Sequence, residues 1–91
     1  MKLKQELPEM QRRFTAALPR IKEYAPRLAA SGEYNDFLTR LSWDVLRAVY
    51  SSAEICDFYT KYDCNDKHIT SAARATLLTV YPDALKLEAA Q

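Results

Sequence analysis

One glycine, Gly32, occurs in 91 residues. Phosphate-cradling loops, dinucleotide-binding turns and hairpin-rich sheets each need several residues at positive φ, so this scarcity excludes them. Cysteine is almost as rare. Cys56 and Cys64 are too few for a secreted disulfide framework, which makes a reducing compartment, cytosol or nucleus, the expectation. No run approaches the roughly 18–20 uninterrupted apolar residues that a membrane-spanning helix needs. Lys2 and Lys4 have no apolar stretch behind them, so the start of the chain does not read as a signal peptide. His68 is the lone histidine, and no nucleophile or carboxylate stands at a helical spacing that would activate it. An enzyme is therefore not expected, and no cofactor is implied. Cys64, Asp66 and His68 supply part of a zinc-ligand set, but a structural site takes four ligands and the sequence offers no fourth, so no metal is expected.

What is abundant points to helices. Thirteen Ala and eleven Leu outnumber the residues that favour strands. The formal net charge is only +1, which alone predicts no nucleic-acid partner. That small number hides a gradient. Residues 1–27 carry seven basic side chains against three acidic, a balance of +4; residues 28–66 carry three against seven, −4; residues 67–91 carry three against two, +1.

The prolines divide the chain. Pro8 suits a first helical turn, so 8–17 reads as a short helix. Pro19 starts a second helix, and Pro26 disfavours the helical region at Ala25, which predicts a stop there and a loop over 26–32. Ser31, or Gly32, is then the expected N-cap of the next element. From 33 to 62 there is no proline or glycine, and Tyr34, Phe37, Leu38, Leu41, Val45, Val49, Ala53 and Cys56 follow the spacing of one helical face. This predicts a continuous helix of about 45 Å. Cys56, on that stripe, reads as a small buried hydrophobe. Trp43, Leu46, Tyr50, Ile55, Phe58 and Tyr62 fall outside the stripe, so the helix needs cover on a second side. A polar break over 63–67 follows, then a helix capped by Thr70 or Ser71 and running to Val80, and a last short helix over 83–89.

The order short, long, short, with a helix appended, resembles the histone fold, and most closely the histone 2B family. That family carries Pro-Asp-Thr-Gly-Ile-Ser-Ser between its first two helices, where this chain has Pro26-Arg27-Leu28-Ala29-Ala30-Ser31-Gly32. Its Asn-Asp-Ile-Phe-Glu-Arg-Ile is similar to Trp43-Asp44-Val45-Leu46-Arg47-Ala48-Val49, its Thr-Ile-Thr-Ser to His68-Ile69-Thr70-Ser71, and its Leu-Pro-Gly-Glu-Leu to Tyr81-Pro82-Asp83-Ala84-Leu85.

The resemblance implies an all-α histone fold over 15–91 behind an extension over 1–14. It implies a handshake with a second, histone 2A-like chain through Phe37, Leu41, Val45, Leu46, Val49, Ile55, Phe58 and Leu77. It also implies a weak hold on DNA phosphates by Arg20 and Lys22, by Ser31 and Gly32 at the first loop, and by Lys67, His68, Thr70 and Ser71 at the second. A nuclear, chromatin-associated subunit of a nucleosome-like particle is the function so implied. A histone-fold subunit of a transcription or centromere complex is a close relative of it. The alternative from another class is a small helical adaptor or inhibitor of phage or plasmid type, for which one compact bundle without paired loops is the expected signature.

Overall fold

The computed structural model describes residues 2–90; Met1 and Gln91, the outermost residues of the expected extension and domain, lie outside them. A 3-10 turn at Lys2–Glu6 leads into α1 (Leu7–Ala16), α2 (Leu18–Ser31), α3 (Phe37–Val49), α4 (Ser52–Lys61), α5 (Asp66–Val80) and α6 (Ala84–Ala89). The all-α expectation holds, and no strand occurs among the described residues. None of these helices is long and apolar enough to cross a membrane.

Residues 2–14 are packed into the fold and do not extend from it. Leu3, Met10 and Phe14 are fully buried. They recur at the spacing of one face, and α1 lays that face against α5. On its other side α5 packs on α3. The Trp43 indole N–H donates to Thr70 Oγ1 at 2.9 Å, and Arg74 lies 3.9 Å from Asp36, so the two helices run antiparallel. Leu38, Leu41, Leu46, Ile69 and Leu77 complete the fully buried centre. Ser42 and Thr76 enter it by donating their hydroxyls to the carbonyls four residues back, Leu38 and Ala72.

Two helix boundaries correct the sequence reading. Pro26 does not end α2, which continues to Ser31 and buries Leu28 and Ala29 beyond the proline. Gly32 then closes the helix at φ 68°, in the left-handed region that suits glycine after a helix C-terminus. Neither Ser31 nor Gly32 starts α3; Asp36 does, accepting from the Thr39 backbone N–H. The continuous helix over 33–62 does not form either. It breaks at Tyr50-Ser51 into helices of 13 and 10 residues. A straight rod of about 45 Å would exceed the 37 Å longest dimension of the chain.

Further along, α5 begins earlier than Thr70, at Asp66, capped by Asn65. The loop before it passes through Asp63 at φ 48°, a conformation that Asp tolerates better than most side chains. Cys56 is exposed rather than buried, because α4 turns only Phe58 fully into the core.

Candidate functional site

The eight positions that the resemblance assigns to DNA do not form one surface. Arg20 and Lys22 are exposed on α2, but two residues are about 200° apart around a helix, so they face opposite ways. Ser31 and Gly32 lie about 18 Å further along the same helix, at its C-terminus, where the orphan groups are carbonyls and the dipole repels anions. The Ser31 hydroxyl donates to the Leu28 carbonyl at 2.8 Å. Lys67, His68, Thr70 and Ser71 stay together at the start of α5. There the His68 backbone N–H already donates to Asn65 Oδ1, and His68 Nδ1 accepts from the Asn65 N–H. Thr70 is occupied by Trp43, so α3 stands between this group and Arg20.

The proposed handshake residues are also placed differently. Phe37, Leu41, Val45, Leu46, Phe58 and Leu77 are buried in the chain's own core, with Val49 and Ile55 half-buried against it. The physical reason is the break at Tyr50. It shortens α3 to a length that α1, α2 and α5 of the same chain can cover.

That break is held by a polar cluster. Tyr50 and Tyr62 both donate their hydroxyls to the Glu6 carboxylate, at 2.8 and 2.6 Å. Burial, followed by the bond to Glu6, pushes the Tyr50 hydroxyl well above its ordinary pKa. Arg13 lies over the Tyr50 ring, 4.2 Å from its centre. It donates to the Val49 carbonyl at 2.9 Å and to Glu54 at 3.2 Å, supplying partners that a broken helix end lacks. Glu9 grips Arg12 and Arg13 at 2.6–2.8 Å, and those two guanidiniums, Arg12 first, hold its carboxyl down at about 2. Ser51 and Glu54 close a capping box at the start of α4. Each of these groups is satisfied by another part of the chain, so the cluster is structural.

Among the open hollows of the described residues, the one with a mainly apolar floor is a groove of about 220 Å³ between α2 and α3. Its floor is Ala17, Ile21, Val45 and Ala48, and Arg20, Tyr24 and Asp44 form its rim. The spacing 17, 20, 21, 24 sets one stripe of α2 along one bank. The residues 44, 45 and 48 set the matching stripe of α3 along the other. Across the top, Tyr24 donates to the Asp44 carboxylate, which raises the Tyr24 pKa. Asp44 also receives Arg40 at 2.9 Å and Arg47 at 3.6 Å. Arg47 in turn covers the Trp43 ring, 5.1 Å from its centre. Tyr24 remains 38% exposed, one of two large hydrophobics left open among the described residues, with Leu85.

The sequence reading missed Tyr24, Asp44 and Ala48 as a set, although the spacing of 17, 20, 21 and 24 lies before Pro26 and was readable. No group of three His, Cys, Asp or Glu side chains gathers as for a metal ion among the described residues. The three residues considered for zinc are engaged elsewhere. Cys64 meets the Phe58 carbonyl, Asp66 accepts from Tyr59, and His68 caps α5. The bond to Asp66 lifts the Tyr59 hydroxyl to about 12. Compared with known proteins, the chain matches no family, no curated relative and no solved structure.

Proposed function

We propose that this chain is a non-enzymatic helical adaptor or inhibitor, a bundle that acts by docking another protein. The observation that carries the reading is the α2–α3 groove. It is apolar at the floor and rimmed by Tyr and Arg, residue types that concentrate at the energetic centres of protein interfaces. The self-contained core supports it too, since Leu41, Val45, Leu46 and Leu77 are covered without a second chain. A histone-like handshake, whether in a nucleosome-like particle or in a transcription or centromere complex, needs those same side chains free to meet a partner, and so fits this arrangement less well.

Two measurements test the reading together. Sedimentation of the purified chain is expected to give a folded monomer with a single cooperative melt. Affinity purification of the tagged chain from its source cells, with nuclease and high-salt washes, is expected to retain one protein in fixed stoichiometry. A chain that folds only beside a second histone-like subunit, or a bound fraction that is nucleic acid removed by nuclease, overturns it. A steep salt dependence on duplex DNA would point the same way, since it reports phosphate contacts.

A further inference from the structure

We infer that the α2–α3 groove receives one bulky apolar side chain from an acidic amphipathic helix of a partner protein, with Arg20 meeting a carboxylate beside it. This rests on the adaptor reading above and names what the groove recognises.

Size narrows the occupant first. Small-molecule sites commonly occupy about 300–1,000 Å³, whereas this groove holds about 220 Å³. That is room for a leucine or an aromatic anchor. Shape comes next. The banks are two helices joined by a short loop, and the smallest apolar floor residues, Ala17 and Ala48, lie at one end, where a third backbone can come close. A helix offers a ridge of side chains at matching spacing, which is the usual way such a groove is filled.

Charge fixes the flanks. Arg20 makes no ion pair or side-chain hydrogen bond among the described residues. Arg40 and Arg47 share a single carboxylate, Asp44, and Arg47 keeps 62% of its side chain exposed. Both reach Asp44 from outside the groove and offset its charge, which leaves Arg20 as the unpaired charge on the rim. The Tyr24 hydroxyl is already committed to Asp44, so Arg20 is the rim group left to read an incoming acid. A basic helix would meet like charge at Arg20, with Asp44 already held by Tyr24, Arg40 and Arg47.

The test uses the full chain and a fluorescein-labelled designed helix of about 18 residues, long enough to present two turns of anchors. Leucines line one of its faces and glutamates flank them; its counterpart carries lysines instead. Anisotropy titrations are expected to favour the glutamate helix by about tenfold or more at low salt. Ala48→Glu, at an exposed helical position on the floor, is expected to weaken binding about tenfold or more. Arg20→Glu is expected to reverse the preference toward the lysine helix, and Lys22→Glu, on the opposite face of α2, to change nothing. Melting each variant alone separates lost binding from lost folding, and Arg20→Glu carries the test if Ala48→Glu does not fold. Equal or stronger binding of the lysine helix, full affinity in Ala48→Glu, or no binding of either helix near 1 mM (about 4 kcal/mol) overturns the inference. A protein recovered from source cells that binds Ala48→Glu unchanged removes this groove and leaves the adaptor reading standing. Recovery of no protein by the unaltered chain removes that reading itself.

Discussion

Around Pro26 the helix continues although the residue forbids a backbone bond, while at Tyr50-Ser51 the helix stops although nothing local forbids it. In α2 the proline leaves the Lys22 carbonyl without its usual donor and presses Ala25 away from helical angles. Against that cost stand three side chains buried on either side of the proline, Ala25 before it and Leu28 and Ala29 beyond it, packed toward α3 and α6. The end of the helix is also well supplied: Tyr34 donates to the Ala29 carbonyl and Ser31 to the Leu28 carbonyl. At the other place the balance is reversed. Continuing α3 would carry Tyr50 and Phe58 out along a rod, whereas breaking it stacks their rings edge to face at 5.2 Å and brings Tyr50 to Glu6. In both regions side chains distant in sequence outweigh the local preference.

The largest expected effect breaks the second region. Tyr50→Ala removes a buried ring, the bond to Glu6 and the seat of Arg13, and is expected to cost about 3–5 kcal/mol in urea unfolding. For a domain of this size that is a large share of the total. A loss below about 1 kcal/mol, the level of ordinary surface changes, would show that the joint is not held by the ring.

The next variant addresses the first region with the opposite sign. Pro26 is exposed in the interior of α2, so Pro26→Ala restores a backbone donor without disturbing a buried contact. A proline in a helix interior costs about 3 kcal/mol relative to alanine, and the looser unfolded chain returns about 0.4–1 kcal/mol of that. A net gain of about 2 kcal/mol is expected, seen as a higher urea midpoint at unchanged slope. A lower midpoint would mean that a bend at Pro26 is what seats Leu28 and Ala29.

These two places also mark what could be read beforehand. The all-helical class, the turn at 81–83 and the last helix follow from composition and from Pro82, both local signals. The break at Tyr50 follows from Arg13, 36 residues before Val49, and from Glu6, 44 residues before Tyr50, and no periodicity argument contains either. One trace was present: Ser51 with Glu54 three residues on is a capping box, a start signal inside an apparently continuous helix. Asn65 and His68 form the same device before α5, disguised by histidine in place of an acid. The groove was illegible because Ile21 and Tyr24 fall within one expected helix and Asp44, Val45 and Ala48 within another, and no periodicity tells which two stripes face each other. The resemblance to histones drew its strength from that same supposed long helix, and the positions it assigned to DNA scatter once α2 runs to Gly32.

Ser51→Ala tests whether the cap or the distant contacts make the break. It removes one acceptor at the start of α4 and is expected to cost about 1 kcal/mol. Helix content by circular dichroism should stay level, because Tyr50 and Arg13 still hold the chain back. An increase in helix content would show α3 running on into α4, and the cap would then be the decisive element.

The smallest effect comes with acid and separates the two regions within one molecule. The Glu9 carboxyl is held at about 2 in the folded chain, first by Arg12 and then by Arg13, against about 4.3 in an unfolded one. Because the folded value is the lower, its contribution is complete above about pH 4.3 and disappears as the pH falls toward 2. Glu54, lowered chiefly by the same Arg13, changes in the same direction. Protonating both frees the guanidinium that caps Val49, so the Tyr50 amide, bonded to the Leu46 carbonyl, should lose protection relative to its intrinsic exchange rate as the pH falls toward 2. The amides flanking Pro26 depend on no such pair, since Glu23 and Arg27 are mostly exposed and screened. Glu9→Gln should flatten the acid response at Tyr50 and leave α2 as it was. Equal loss of protection in both regions would mean that acid loosens the whole bundle through its summed charge, and that Arg13 is not the link between α1 and the break.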